Sequence, residues 1–88
     1  WSYMNKHFED ARYYLKQAGK KATKGVREEL EPIEDRFREL TGREKEPEPG
    51  RLEKIRNDLE ELQGRAEGET KKAINDAIGK IDEYRKES

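Results

Sequence analysis

Apolar residues recur along this chain at steps of three and four, and no other feature of the sequence is as regular. One run comprises Met4, Phe8, Ala11, Leu15, Ala18, Ala22, Val26, Leu30, Ile33, Phe37 and Leu40. A second comprises Leu52, Ile55, Leu59, Leu62, Ala66, Thr70, Ala73, Ala77, Ile81 and Tyr84, widened by Ile74 and Ile78. Steps of three and four average close to the α-helical period, so each run lies along one face of a helix, whereas a half-buried strand would alternate at every second residue. The chain is therefore predicted to be all-α.

Between the runs, residues 41–50 read Thr-Gly-Arg-Glu-Lys-Glu-Pro-Glu-Pro-Gly. Gly42 suits the left-handed position just past a helix end. Pro47 and Pro49 cannot continue a helix, and they disfavour α geometry in the residues before them. The pattern predicts a helix over about 4–41, a loop over 42–50 and a helix over about 51–86 in a single domain. Equal limbs joined by a short loop favour an antiparallel hairpin, each limb roughly 55 Å long at the helical rise.

The weak points are Gly19, Gly25 and Pro32 in the first limb and Gly64, Gly68 and Gly79 in the second. An interior glycine costs about 1 kcal/mol relative to alanine, and a proline removes a backbone hydrogen bond. The stripe keeps its phase through Pro32 and Gly68, where a loop would usually shift it, so bent but continuous helices are expected. The alternative is a monomeric three- or four-helix bundle broken at Pro32 and Gly68.

A chain of 88 residues has too much surface for its volume to bury more than a thin core unless it pairs. Charged residues make up 47% and apolar ones 30%, with a mean hydropathy of -1.45, a composition that would permit disorder were the apolar residues not placed as a helix needs them. The expected solution is a homodimer, two hairpins making a four-helix bundle, with Phe8, Leu15, Val26, Ile33, Phe37, Leu59, Ile74, Ile78 and Ile81 as possible interface residues. Charge points the same way. Residues 1–27 carry a net +5, residues 28–62 a net -6 and residues 63–88 none. A hairpin would then be basic where its termini meet and acidic at its loop, and two laid antiparallel would be complementary.

Signals for chemistry are sparse. The absence of cysteine excludes disulfides, thiolate metal sites and cysteine nucleophiles. His7 is the only histidine and has no Glu-x-x-His pair around it, so it reads as a helix-surface residue. Glu28, Glu29, Glu31, Glu34 and Asp35 lack the alternating loop pattern of a calcium site and read as solubilising. No Gly-rich phosphate loop follows a strand, and no serine has a histidine and an acid placed to activate it. An enzyme, a cofactor and a small-molecule substrate are not expected. Gly64-x-x-x-Gly68 lies in too charged a segment to be a membrane dimer motif.

Uncharged stretches fall far short of a membrane span and no signal-peptide apolar region is present, so a soluble, cytoplasmic protein is expected. Trp1, Ser2 and Tyr3 precede Met4, which reads as the natural initiator, and are expected to be an artificial leader. A second function class rests on Lys16, Lys20, Lys21, Lys24 and Arg27, with Tyr13 and Tyr14 nearby. Basic residues interleaved with aromatics suit a nucleic-acid backbone, although the acidic middle of the chain would repel it. The expected function is a non-catalytic structural or protein-interaction module, with nucleic-acid binding as the alternative.

The segments Met4–Lys16, Gly25–Pro32, Arg38–Gly42 and Glu46–Leu52 resemble a family of short uncharacterised haloarchaeal proteins, and the resemblance runs over nearly the whole chain from Met4. It implies a cytoplasmic, salt-adapted origin and no activity or site residues. Haloarchaeal proteins are typically acidic and lysine-poor, whereas this chain has eleven lysines and a net charge of -1. An engineered, charge-altered variant made for folding or salt-adaptation study is therefore a further expectation, with Lys20, Lys21, Lys24, Lys71, Lys72 and Lys80 among the altered positions.

Overall fold

The apolar stripe resolves into four helices in the computed structural model, which describes residues 6–41 and 48–87. They are α1 (Lys6–Lys21), α2 (Lys24–Thr41), α3 (Pro49–Gln63) and α4 (Gly68–Glu87), with no strand among the described residues. Met4, the three residues before it, and the turn signals Gly42 and Pro47 lie outside them.

Each described member of both runs is buried, apart from Val26, which packs half-buried against the rest. The helices form a ring in which α1 packs on α2 and α4, and α3 packs on α2 and α4, while the diagonal pairs do not approach. Neighbours run antiparallel. Phe8 near the start of α1 meets Phe37 near the end of α2 and Tyr84 near the end of α4. Arg36 of α2 reaches Asp58 of α3, and Glu53 of α3 reaches Arg85 of α4. α1 and α4 approach most closely, consistent with the small buried residues Ala11 and Ala18 on one and Ala73 and Ala77 on the other.

The two long helices expected from the sequence are thus each broken once. The described residues extend 34 × 21 × 20 Å, too short for a limb of roughly 55 Å. The first break is at Ala22–Thr23, not Pro32. Thr23 takes the N-cap position of α2, where threonine is favoured, and its carbonyl accepts the Arg27 N–H at 2.9 Å. Pro32 lies within α2 on its exposed side, so the Glu28 carbonyl that loses its partner is on a solvent-facing residue. The second break spans residues 64–67. The N–H groups of Gly64, Arg65 and Ala66 donate to the carbonyls of Glu61, Leu62 and Gln63, tightening the last turn of α3. Gly68 then takes φ 57°, the only positive φ among the described residues. α3 begins two residues earlier than expected because Pro49 fits the first helical turn, with the Glu48 carbonyl receiving the N–H groups of Arg51 and Leu52.

Folding the chain double also changes its charge layout. The start of α1, the end of α2, the start of α3 and the end of α4 come to one end of the bundle, so the basic first helix lies beside the acidic second and not beyond it. Part of the complementarity expected between copies is available within one chain.

Two of the glycines with open space around them should respond oppositely to alanine. Gly68→Ala places a side chain at a left-handed φ and should destabilise by about 1–2 kcal/mol. Gly79→Ala, inside α4 with nothing within 4 Å of the new methyl, should stabilise by about 0.5–1 kcal/mol. Urea denaturation of both variants measures the contrast.

Candidate interaction surface

The nine residues expected as an interface between copies are placed in the core of one chain. Phe8, Leu15, Ile33, Phe37, Leu59, Ile74, Ile78 and Ile81 are buried, and Val26 is half covered. The chain's own helices already cover them, because doubling back gives each helix two neighbours instead of one.

What remains outside is mostly paired charge, with one aromatic exception. Tyr13 is 58% exposed, the sole exposed large apolar side chain among the described residues. Its ring stands edge-on to Tyr14 at 5.4 Å, and Tyr14 is half buried between α1 and α4. The two tyrosines, with Gln17, Lys21, Glu69, Lys72, Ala73 and Asp76, line a shallow trough along the α1–α4 seam. Tyr84, a member of the second apolar run, is core, its ring 4.3 Å from that of Phe8.

The basic segment is divided by the fold. Lys21 turns to the α4 side and pairs with Glu69 at 3.2 Å. Arg27 is occupied with the α1–α2 turn, its Nε donating to the Gly19 carbonyl at 3.1 Å and its Nη2 to the Ala22 carbonyl at 3.2 Å. It thereby satisfies carbonyls that the end of α1 leaves without helical partners. Lys16, Lys20 and Lys24 are exposed, and Lys16 and Lys20 line an open depression shared with Arg27, Glu31 and Glu34.

His7 lies between carboxylates, Nδ1 at 3.1 Å from Glu83 and Nε2 at 2.9 Å from Glu87, joining the first turn of α1 to the last of α4. Of the acidic run, Glu29 reaches Arg65 in the connection after α3, while Glu34 and Asp35 pair with Arg38 one turn on. No group of three or more histidine or acidic side chains that could hold a metal occurs among the described residues.

Sequence reasoning did not find the ion pairs that cross between helices. Arg56 of α3 forks onto Asp82 of α4 with Nε–Oδ1 2.6 Å and Nη2–Oδ2 3.1 Å, and also meets Glu60. The hydrogen bonds to Asp82 and then Glu60 raise its pKa further, so it stays charged at any working pH. Opposite charges flanking the stripe were the available signal, but they name partners only once the neighbouring helix is known. A double-mutant cycle on Arg56 and Asp82 should give a coupling of about 0.5–1 kcal/mol, because the forked geometry is fixed. The same cycle on Lys72 and Asp76, 3.7 Å apart with the lysine exposed, should give close to zero.

No helix of the described residues is long and apolar enough to cross a membrane. No curated protein and no solved structure matches the chain. A family model matches residues 4–87, nearly the whole length, and the chain belongs to that family, DUF7553, a family of unknown function.

Proposed function

We propose that this chain is a non-catalytic structural or protein-interaction module, acting through helix packing and self-association. The observation that carries the reading is the use made of its reactive side chains. The single histidine, three arginines and the acids they meet tie one part of the bundle to the next, at His7–Glu83, Arg36–Asp58, Arg56–Asp82 and Arg65–Glu29. Such pairs fix helix register and leave the imidazole and guanidinium groups engaged with protein partners. Exposed Tyr13 offers an apolar contact on a surface otherwise covered by charge. Sedimentation equilibrium over a range of protein and salt concentrations tests the reading. Association to a dimer that loosens with salt is expected, and a monomer under all conditions would contradict self-association.

One observation favours nucleic-acid binding as a second reading, since Lys16, Lys20 and Lys24 are exposed and take part in no ion pair among the described residues. Against it, Glu31 and Glu34 face the same depression and Arg27 is held by backbone carbonyls. Binding of a labelled duplex that weakens steeply with salt and disappears in K20E/K24E would favour it over the first.

We place the chain's origin among salt-adapted haloarchaeal proteins, in a charge-altered form suited to low salt. Three of the lysines that depart from that pattern make ion pairs, Lys21 with Glu69, Lys72 with Asp76 and Lys80 with Asp10 and Glu83. A carboxylate at each position would create repulsion. The triple variant K21E/K72E/K80E should lose about 1 kcal/mol at low salt and recover most of it in molar KCl, as thermal melts at the two salt concentrations would register.

A further inference from the structure

The ion pairs between opposed segments keep an antiparallel register on each side of the two turns. His7 meets Glu83 and Glu87, Asp10 meets Lys80, and Lys21 meets Glu69. Past the first turn, Glu29 meets Arg65 of the second connection and Arg36 meets Asp58 of α3. Each step forward along α1 and α2 is matched by a step back along α4 and α3, with a slip of one helical turn where the two connections face each other. This is the pairing of two long antiparallel helices that have been folded double at the middle. The contacts created by the doubling are those of α1 with α2 and of α3 with α4: Phe8 on Phe37, Arg56 on Asp82 and Arg85 near Glu53.

Little holds the doubling in place except the contacts it makes. Ala22 and Thr23 need no left-handed backbone, and Gly68, which adopts one, can also be helical. The apolar stripe holds its phase across both connections, so straightening them would leave all of the core residues on the same inner face. Arg27 would not be missed in a straight helix. The Gly19 and Ala22 carbonyls that it caps would then receive the N–H groups of Thr23 and Val26.

We infer that the chain has a second, exchanged form in which two copies straighten both connections and lie antiparallel, α1 of each packing on α2 of the other and α3 of each on α4 of the other. The inference rests on the self-association reading above and names its partner and geometry. The partner is a second copy because the opened face carries Phe8 at one end and Phe37 at the other. An antiparallel copy brings Phe37 onto Phe8, Asp82 onto Arg56 and Glu53 onto Arg85, and so restores each contact that opening removes. Exchange of identical elements between copies forms a dimer without a new surface, and concentration alone can select it.

The test uses the full chain, which has no cysteine, carrying E9C/R38C for a spin label on an exposed site near each end of the α1–α2 limb. The doubled form places these ends side by side, as Phe8 and Phe37 are, whereas a straight limb holds them about 43 Å apart, 29 residues at the helical rise. G68A strains the second closed turn and T23A removes the N-cap residue of the first, so the pair favours the straight form, and R27Q removes the cap on the end of α1. T23A/G68A is expected to dimerise at least tenfold more tightly than the unsubstituted chain, R27Q in the same direction. Doubly labelled chains diluted into unlabelled ones should then give the long distance in the dimer. A dimer that keeps the short distance would overturn exchange and leave self-association standing. A monomer at all concentrations in both variants would overturn both. Should T23A/G68A lose its helical circular dichroism, R27Q decides the same question.

Discussion

The ring of Phe8, wholly buried against Phe37 on one side and Tyr84 on the other, is where the helices of this protein are held to a common core. Each aromatic pair contributes on the order of 0.5–1.5 kcal/mol beyond the area it buries. Its place in the fold matters more than that sum. The contact with Tyr84 joins α1 to α4, a pairing that two long helices would also make. The contact with Phe37 joins α1 to α2, and only a chain folded double can make it within itself. A pair of helices with so few apolar residues would leave much of its stripe in water. Doubling gives each helix two neighbours and buries the stripe with no other molecule.

The inward face of the described residues was largely legible, because periodicity reports which residues turn away from water. From Phe8 to Leu40 and from Leu52 to Tyr84, the stripe and the core are nearly the same set. The breaks were not legible, for a physical reason. The second connection, residues 64–67, is four residues long, about one helical turn, so the count of threes and fours runs through it undisturbed. The first, Ala22–Thr23, contains neither glycine nor proline, and its one local signal is a threonine at the N-cap position. Pro32 attracted the expectation of a bend or break and received no break, because it sits on an exposed side of α2 with its freed carbonyl beside water. Periodicity names the buried face and not the neighbour that buries it.

The same limit governs the candidate surface. The basic segment was visible in composition, but whether its members act together depends on which way each one turns from the helix. The fold sends Lys21 toward Glu69 and Arg27 back onto the turn it stabilises, leaving Lys16, Lys20 and Lys24 outward. The interhelical pairs centred on Arg56 and Arg65 could be anticipated only as unassigned opposite charges. Polar chemistry directed at neighbouring helices is what the proposed reading as a packing module rests on, and under that reading the choice of neighbouring helix matters most.

The contact between α1 and α2 is therefore the decisive one. Nuclear Overhauser contacts among the rings of Phe8, Phe37 and Tyr84, recorded on isotope-labelled protein at low concentration, measure it directly. The doubled fold requires contacts from Phe8 to both Phe37 and Tyr84 within a single chain. Finding Phe8 against Tyr84 but not against Phe37 would mean that the limbs are straight, and would contradict the four-helix fold of the single chain.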